Sequence, residues 1–219
     1  MQLKKIVRWN RLKISNLFIL VGPSGVGKTT ALRTLMTKHP ARIFHPLTHT
    51  TRKQRPGESH GVDMFFIPET DWHSGHSHNS FCATGYINGH YYGTKTRDIM
   101  DALKSGKRVV VLLDTNGTEE MLTHFPGAIV IALYPTHIDK LKEHLLKRWP
   151  EKGPLYEERV KGLQNEIRSI GRLELDYKIF SDSLAEICSG LEALIFPSYV
   201  PASNRAVDTK KVKRGIPVI

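Results

Sequence analysis

At 219 residues the chain has the length of one domain, and 40% hydrophobic content is enough for a core. Its two cysteines, Cys82 and Cys188, lie far apart and suggest neither a disulfide framework nor a metal knuckle, so a reducing, cytoplasmic setting is expected. The net charge of +11 is uneven, with twelve Lys and Arg before the first acid at Glu58, which suits a polyanionic substrate, and no apolar run approaches the roughly 20 residues of a membrane span.

Residues 1–15 form a basic arm carrying Lys4, Lys5, Arg8, Arg11 and Lys13, and read as a solvated terminus. The apolar stretch Ile14 to Val21 that follows is read as a first strand, because a signal cleavage there would cut into the next motif. That motif is Gly22-Pro23-Ser24-Gly25-Val26-Gly27-Lys28-Thr29, which fits G-x-x-x-x-G-K-[ST] without a mismatch between a strand, Leu17–Val21, and a helix, Thr29–Lys38. Its glycines let backbone N–H groups turn toward one anion, and the helix N-terminus and Lys28 add positive charge. Gly22, Ser24, Gly25, Val26, Gly27, Lys28, Thr29 and Thr30 are therefore the expected ATP-binding residues, with the Thr29 hydroxyl available to Mg²⁺.

Residues 43–94 are rich in Thr, His, Gly and aromatics and lack a long helical pattern, which predicts a small β-rich lobe that binds the acceptor. His73, His76 and His78 within it read as a polar surface loop rather than a metal site. A helix is predicted over Thr94–Lys104, then a β-branched strand, Arg108–Leu113, ending at Asp114. An acid there is placed to support Mg²⁺, and equally to cap the turn at Gly117. A strand at Ala128–Leu133 and a helix at Thr136–Trp149 follow. After a break comes a helix with Val160, Leu163, Ile167 and Ile170 at spacings of three, four and three. A strand at Tyr177–Phe180 and a helix at Asp182–Phe196 close the domain, with Cys188 read as core beside Leu184, Ile187, Leu191 and Ile195. Residues 197–219 read as a basic tail. Buried strands alternating with helices predict an α/β fold of the P-loop kinase type, a parallel sheet covered by helices on both faces.

Phosphoryl transfer also needs a clamp on the acceptor. Arg52 and Arg55, three apart in Thr48-His49-Thr50-Thr51-Arg52-Lys53-Gln54-Arg55-Pro56-Gly57-Glu58, can converge on one phosphate. Gly89-His90-Tyr91-Tyr92-Gly93-Thr94 offers hydroxyls to complete the clamp.

In this order the motifs resemble those of the guanylate kinase family over roughly residues 16–196. The family pattern runs from the phosphate loop to S-x-T-T-R-x-x-R-x-G-E-x-x-G-x-D, then Y-Y-G-[ST], then an acidic strand and an arginine-bearing lid. Thr48, Arg52, Arg55, Gly57, Glu58, Gly61, Asp63, Tyr92 and Thr94 match. The resemblance implies that Arg52, Arg55 and Tyr92 hold the acceptor phosphate and that Thr48 and Thr94 face the base. It also implies a lid, about 148–160, whose Arg148 and Arg159 act with Lys28 on the transferring phosphoryl group.

Four positions depart from the pattern. The family reads guanine with two carboxylates, and here Ala83 and Leu112 stand at those positions, while Met64 replaces a phosphate-binding Tyr and His144 a lid arginine. Asp114, Glu58 and Asp71 are conceivable substitutes for the missing acids. Three functions are thus open: transfer from ATP with Mg²⁺ to a nucleoside monophosphate, GMP by resemblance; a ribose 1,5-bisphosphate phosphokinase-like reaction; and an inactive module of the guanylate kinase-like type that binds phosphopeptides. ATP and a small phosphorylated acceptor are the expected partners. No nucleic-acid motif is apparent, and nothing in the sequence gives the oligomeric state.

Overall fold

The computed structural model describes residues 16–55, 57–78, 80–148 and 152–197. The two basic arms therefore lie outside the described residues, apart from Pro197, as does the start of the lid at 149–151. The α/β class is as predicted. The chain divides into two compact units, one with the described residues through Val21 and from Met36 to Ile129, the other with Gly22–Leu35 and the described residues from Val130.

In the first unit β1 (Leu17–Val21) is wholly buried and pairs in parallel with β7 (Arg108–Leu112), which pairs in parallel with β2 (Ile43–Phe44). The β1 residues are 0–1% exposed, as expected of a strand covered on both faces. A second sheet has the order β4-β3-β6-β5, from β3 (Thr48–Thr50), β4 (Phe65–Phe66), β5 (Phe81–Ile87) and β6 (His90–Lys95). β3 and β6 are antiparallel, with Thr48 opposite Thr94 and Thr50 opposite Tyr92. The register of β5 on β6 shifts between Cys82 and Gly85, where a bulge interrupts the ladder.

Helix α2 (Glu69–Ser77) lies where a polar loop was expected. Pro68 precedes its first turn, Glu69 and Asp71 favour its N-terminus, and Trp72 is buried against Phe81 and Tyr91. Helix α3 (Thr96–Lys104) starts two residues later than predicted, because Thr94 and Lys95 stay in β6. Helix α4 (Thr115–His124) has no counterpart in the sequence reading.

In the second unit the phosphate loop leads into α1 (Lys28–Lys38), whose Ala31, Leu32 and Leu35 are buried. β8 (Ile129–Tyr134) and β9 (Tyr177–Phe180) pair in parallel. Helices α5 (Ile138–Arg148) and α6 (Pro154–Arg172) bury Leu141, Leu145, Leu163 and Ile170. In α7 (Leu184–Ile195) the buried stripe is Ile187, Leu191 and Ile195. Cys188 is only half-buried and Leu184 is 41% exposed, so these two do not belong to the core as expected. No helix among the described residues is long and apolar enough to cross a membrane.

Candidate active site

The phosphate loop begins where β1 ends. Gly25 and Gly27 have φ of 84° and 99°, a left-handed conformation that strains other residues and that turns successive N–H groups to one side. Lys28 folds back along the loop, its Nζ donating to the carbonyls of Gly22 (2.5 Å) and Pro23 (3.1 Å). Burial lowers its pKa to about 8, and the Glu166 charge works in the opposite direction. Thr29 and Thr30 are exposed in the first turn of α1.

Glu166, on α6, is a site residue that the sequence reading missed. Its Oε2 accepts the Ser24 backbone N–H at 2.6 Å, and its Oε1 accepts the Ser24 hydroxyl at 3.1 Å. Arg159 lies seven residues earlier on the same helix. Two turns of 3.6 residues bring the pair to one face, about 10 Å apart along the axis. Arg159 is exposed. Arg148 is the last residue of α5, and its side chain lies outside the described set. His144, also on α5, has Nδ1 2.9 Å from the carbonyl oxygen of Gly25, so the position that departs from the family's arginine touches the phosphate loop.

The acceptor motif occupies the other unit. Arg52 is buried, and its Nη1 and Nη2 each donate to one oxygen of Glu58 at 2.9 Å. Nη1 also donates to the Lys53 carbonyl at 2.8 Å, and Nη2 lies 3.6 Å from the Met64 sulfur. Hydrogen bonds to Glu58 and then to Tyr92 hold the guanidinium in its charged form. Reciprocally, Arg52 and the Arg55 backbone N–H hold the Glu58 carboxyl at about 2. Arg52 and Tyr92 are thus brought together, whereas the Arg55 side chain is exposed and its link to Glu58 runs through the backbone. Thr48 and Thr94 face each other across the ladder, Thr94 3% exposed.

Asp114 is the N-cap of α4, its Oδ1 accepting the Gly117 N–H at 2.8 Å. The capping role is therefore present. One turn on, Glu120 accepts the Thr84 N–H at 2.7 Å, and the Thr84 hydroxyl lies 2.9 and 3.0 Å from its two oxygens. This second missed acid sits on the helix that the sequence reading lacked. Its charge adds to burial in pushing the Cys82 thiol up to about 11. The histidines of α2 do not form a metal cluster: among the described residues no group of three or more His, Cys, Asp or Glu side chains could hold an ion.

A family model described as Guanylate kinase matches residues 14–198. Guanylate kinase from Coxiella burnetii is 33% identical over 200 residues, covering 91% of this chain and 94% of the relative. Guanylate kinase from Legionella pneumophila (strain Lens) is 32% identical over 191 residues, covering 87% and 90%. Among solved structures, guanylate kinase from Anaplasma phagocytophilum superimposes with a TM-score of 0.64 at 18% identity, covering 85% of this chain and 88% of that one.

Proposed function

Because the chain belongs to the guanylate kinase family, we propose that it transfers the γ-phosphoryl group of ATP to GMP, giving ADP and GDP. The observation that carries this reading is the β3–β6 register, which aligns Thr48 with Thr94 and Thr50 with Tyr92, with Tyr92 among the groups that hold Arg52 in its charged form. In this reading the phosphate and the base of the acceptor lie along one pair of strands.

Lys28 leaves the carbonyls of its own loop to bind the β- and γ-phosphate oxygens. Its partly desolvated ammonium acts with less screening than one in water. Arg52, Arg55 and Tyr92 hold the phosphate of GMP so that one of its oxygens attacks the γ-phosphorus in line. The bond to the bridging oxygen of ADP breaks as the new P–O bond forms. Arg148 and Arg159 neutralise the charge that develops on the equatorial oxygens. The donor set suits Mg²⁺, a hard cation usually bound through one or two protein oxygens and the substrate phosphates: the Thr29 hydroxyl is exposed beside Lys28, and no protein-only cage is present among the described residues. Thr29 would hold the ion and Asp114 support it, and when bound it neutralises β- and γ-oxygen charge.

ATP consumption measured against GMP, dGMP, AMP, CMP, UMP and ribose 1,5-bisphosphate tests this. Turnover confined to GMP and dGMP is expected. Preference for the sugar phosphate, or no turnover with any acceptor despite ATP binding, would overturn it.

A further inference from the structure

We propose that Glu120 is the carboxylate that reads the guanine base, supplied from helix α4 in place of the acid missing from β5; this rests on the GMP reading above. Guanine presents N1–H and an exocyclic amine side by side, and a carboxylate accepts both in parallel. Ala83 and Leu112 cannot do so.

The bulge in β5 makes the substitution possible. Cys82 pairs with Thr94 and Gly85 with Tyr92, so Ala83 and Thr84 share the place opposite Gly93. Ala83 takes up the extra length in a left-handed conformation, φ 49°. A bulge of this kind re-aims the neighbouring side chain, and here Thr84 meets Glu120.

Asp114, Gly117 and Glu120 follow at intervals of three and form one face of the start of α4. That face lies on the bulge: a Cβ built on Gly117 would be 3.7 Å from that of Ala83 and 3.2 Å from Asp114 Oδ1. The Glu120 carboxylate is thus fixed beside the position that the family's acid would occupy. Thr84 supplies two protons, its N–H and its hydroxyl, whereas a carboxylate has about four lone-pair sites. Capacity for two further donors remains, matching the pair that guanine offers. Glu120 is half-buried, where such bonds discriminate better than in open water.

The other acids considered are less well placed. Glu58 is bound through both oxygens by Arg52, Asp114 caps Gly117, and Asp71 is exposed on α2. Glu120 is the acid already anchored to the strand whose bulge faces the Tyr92–Thr94 segment.

The test compares kcat/KM for GMP and for IMP, which lacks the exocyclic amine, in the wild type and in Glu120→Gln. ATP KM and the unfolding midpoint are followed alongside. The variant is expected to lose about 10- to 100-fold with GMP and less with IMP, so that the GMP/IMP ratio falls toward one. ATP KM and the midpoint stay near wild type. An unchanged ratio in a wild-type-active background overturns the role of Glu120 alone, including when both acceptors fall together, as a purely structural role would produce. A wild type inactive on GMP overturns the acceptor assignment and this role with it. Glu120→Asp, which keeps the charge on a shorter stem, is expected to retain a ratio above that of Glu120→Gln, and a ratio equal to it counts against the proposal.

Discussion

Ser24 and Glu166 are 142 residues apart in the chain, yet one carboxylate receives both the backbone N–H and the hydroxyl of the serine. Helix α6 is thereby tied to the phosphate loop at a charged hydrogen bond, and the same carboxylate offsets part of the desolvation of Lys28. Charge-assisted bonds of this type contribute about 1.5–3 kcal/mol. Glu166→Gln is therefore expected to lower kcat/KM for ATP about 10- to 100-fold. A steady-state ATP titration at saturating acceptor checks this, and a wild-type value would show that the tie does not shape the loop.

Lys28, with its pKa lowered to about 8, gives a pH prediction with a definite sign. Below that value the amine is charged and able to bind phosphate; above it the charge is lost. The kcat/KM for ATP reports the free enzyme, so it should fall on an alkaline limb near pH 8. Removing the opposing charge in Glu166→Gln should move the limb to lower pH, and Lys28→Arg should erase it. For stability the sign is opposite to that of an ordinary ion pair. Burying the charged amine costs the fold something below the folded pKa, and the cost is relieved as pH rises through it. Lys28→Ala should abolish turnover and leave the circular dichroism unchanged.

Arg52 donates to both oxygens of Glu58 from a nearly closed site, and this should give the acceptor lobe stability that is lost in acid. A carboxyl whose folded pKa is depressed adds stability above its unfolded pKa and loses it as pH falls through the folded one. For Glu58 that loss begins as pH falls below the ordinary glutamate value of 4.5 and is complete near pH 2. Glu58→Gln should show no such contribution in an acid titration of the fold. Arg52→Lys cannot span two oxygens, and is expected to raise the GMP KM roughly 10- to 100-fold while sparing the ATP KM.

Gly93 is the third residue of Tyr91-Tyr92-Gly93, and its role is steric. A Cβ there would stand 2.7 and 3.1 Å from two ring atoms of Trp72, which is 2% exposed and stacked between Phe81 and Tyr91. A ring packed on both faces cannot retreat. Gly93→Ala should cost about 1–3 kcal/mol, read as a lowered unfolding midpoint in differential scanning calorimetry.

What the sequence revealed and what it hid divide along chain distance. The phosphate loop is legible because its strand, turn and helix are contiguous, and Arg52 finds Glu58 within six residues. Helix α4 escaped because it buries Gly117 and Thr118 with Met121, so no apolar stripe marks its inner face. Asp114 three residues before Gly117 was its one visible signal, and it served equally well as a metal-site acid. Helix α2 was hidden in a similar way, its interior reduced to Trp72 among histidines, serine and glycine, although Pro68, Glu69 and Asp71 spelled out its start. Glu166 could not be found by pattern at all, since nothing in a helical period says which distant backbone N–H a carboxylate will meet.

The bulge in β5 also gives this lobe a sensitivity to insertion and deletion that ordinary substitutions do not probe. Two residues, Ala83 and Thr84, stand against one, Gly93. Deleting either would let the segment between Cys82 and Gly85 close into an even ladder without the left-handed residue that Ala83 now supplies. The helix opposite would keep its glutamate with no threonine turned to meet it. Among close relatives, a gap of one residue here would mark a change in what the lobe selects, even where every side chain facing the phosphates was retained.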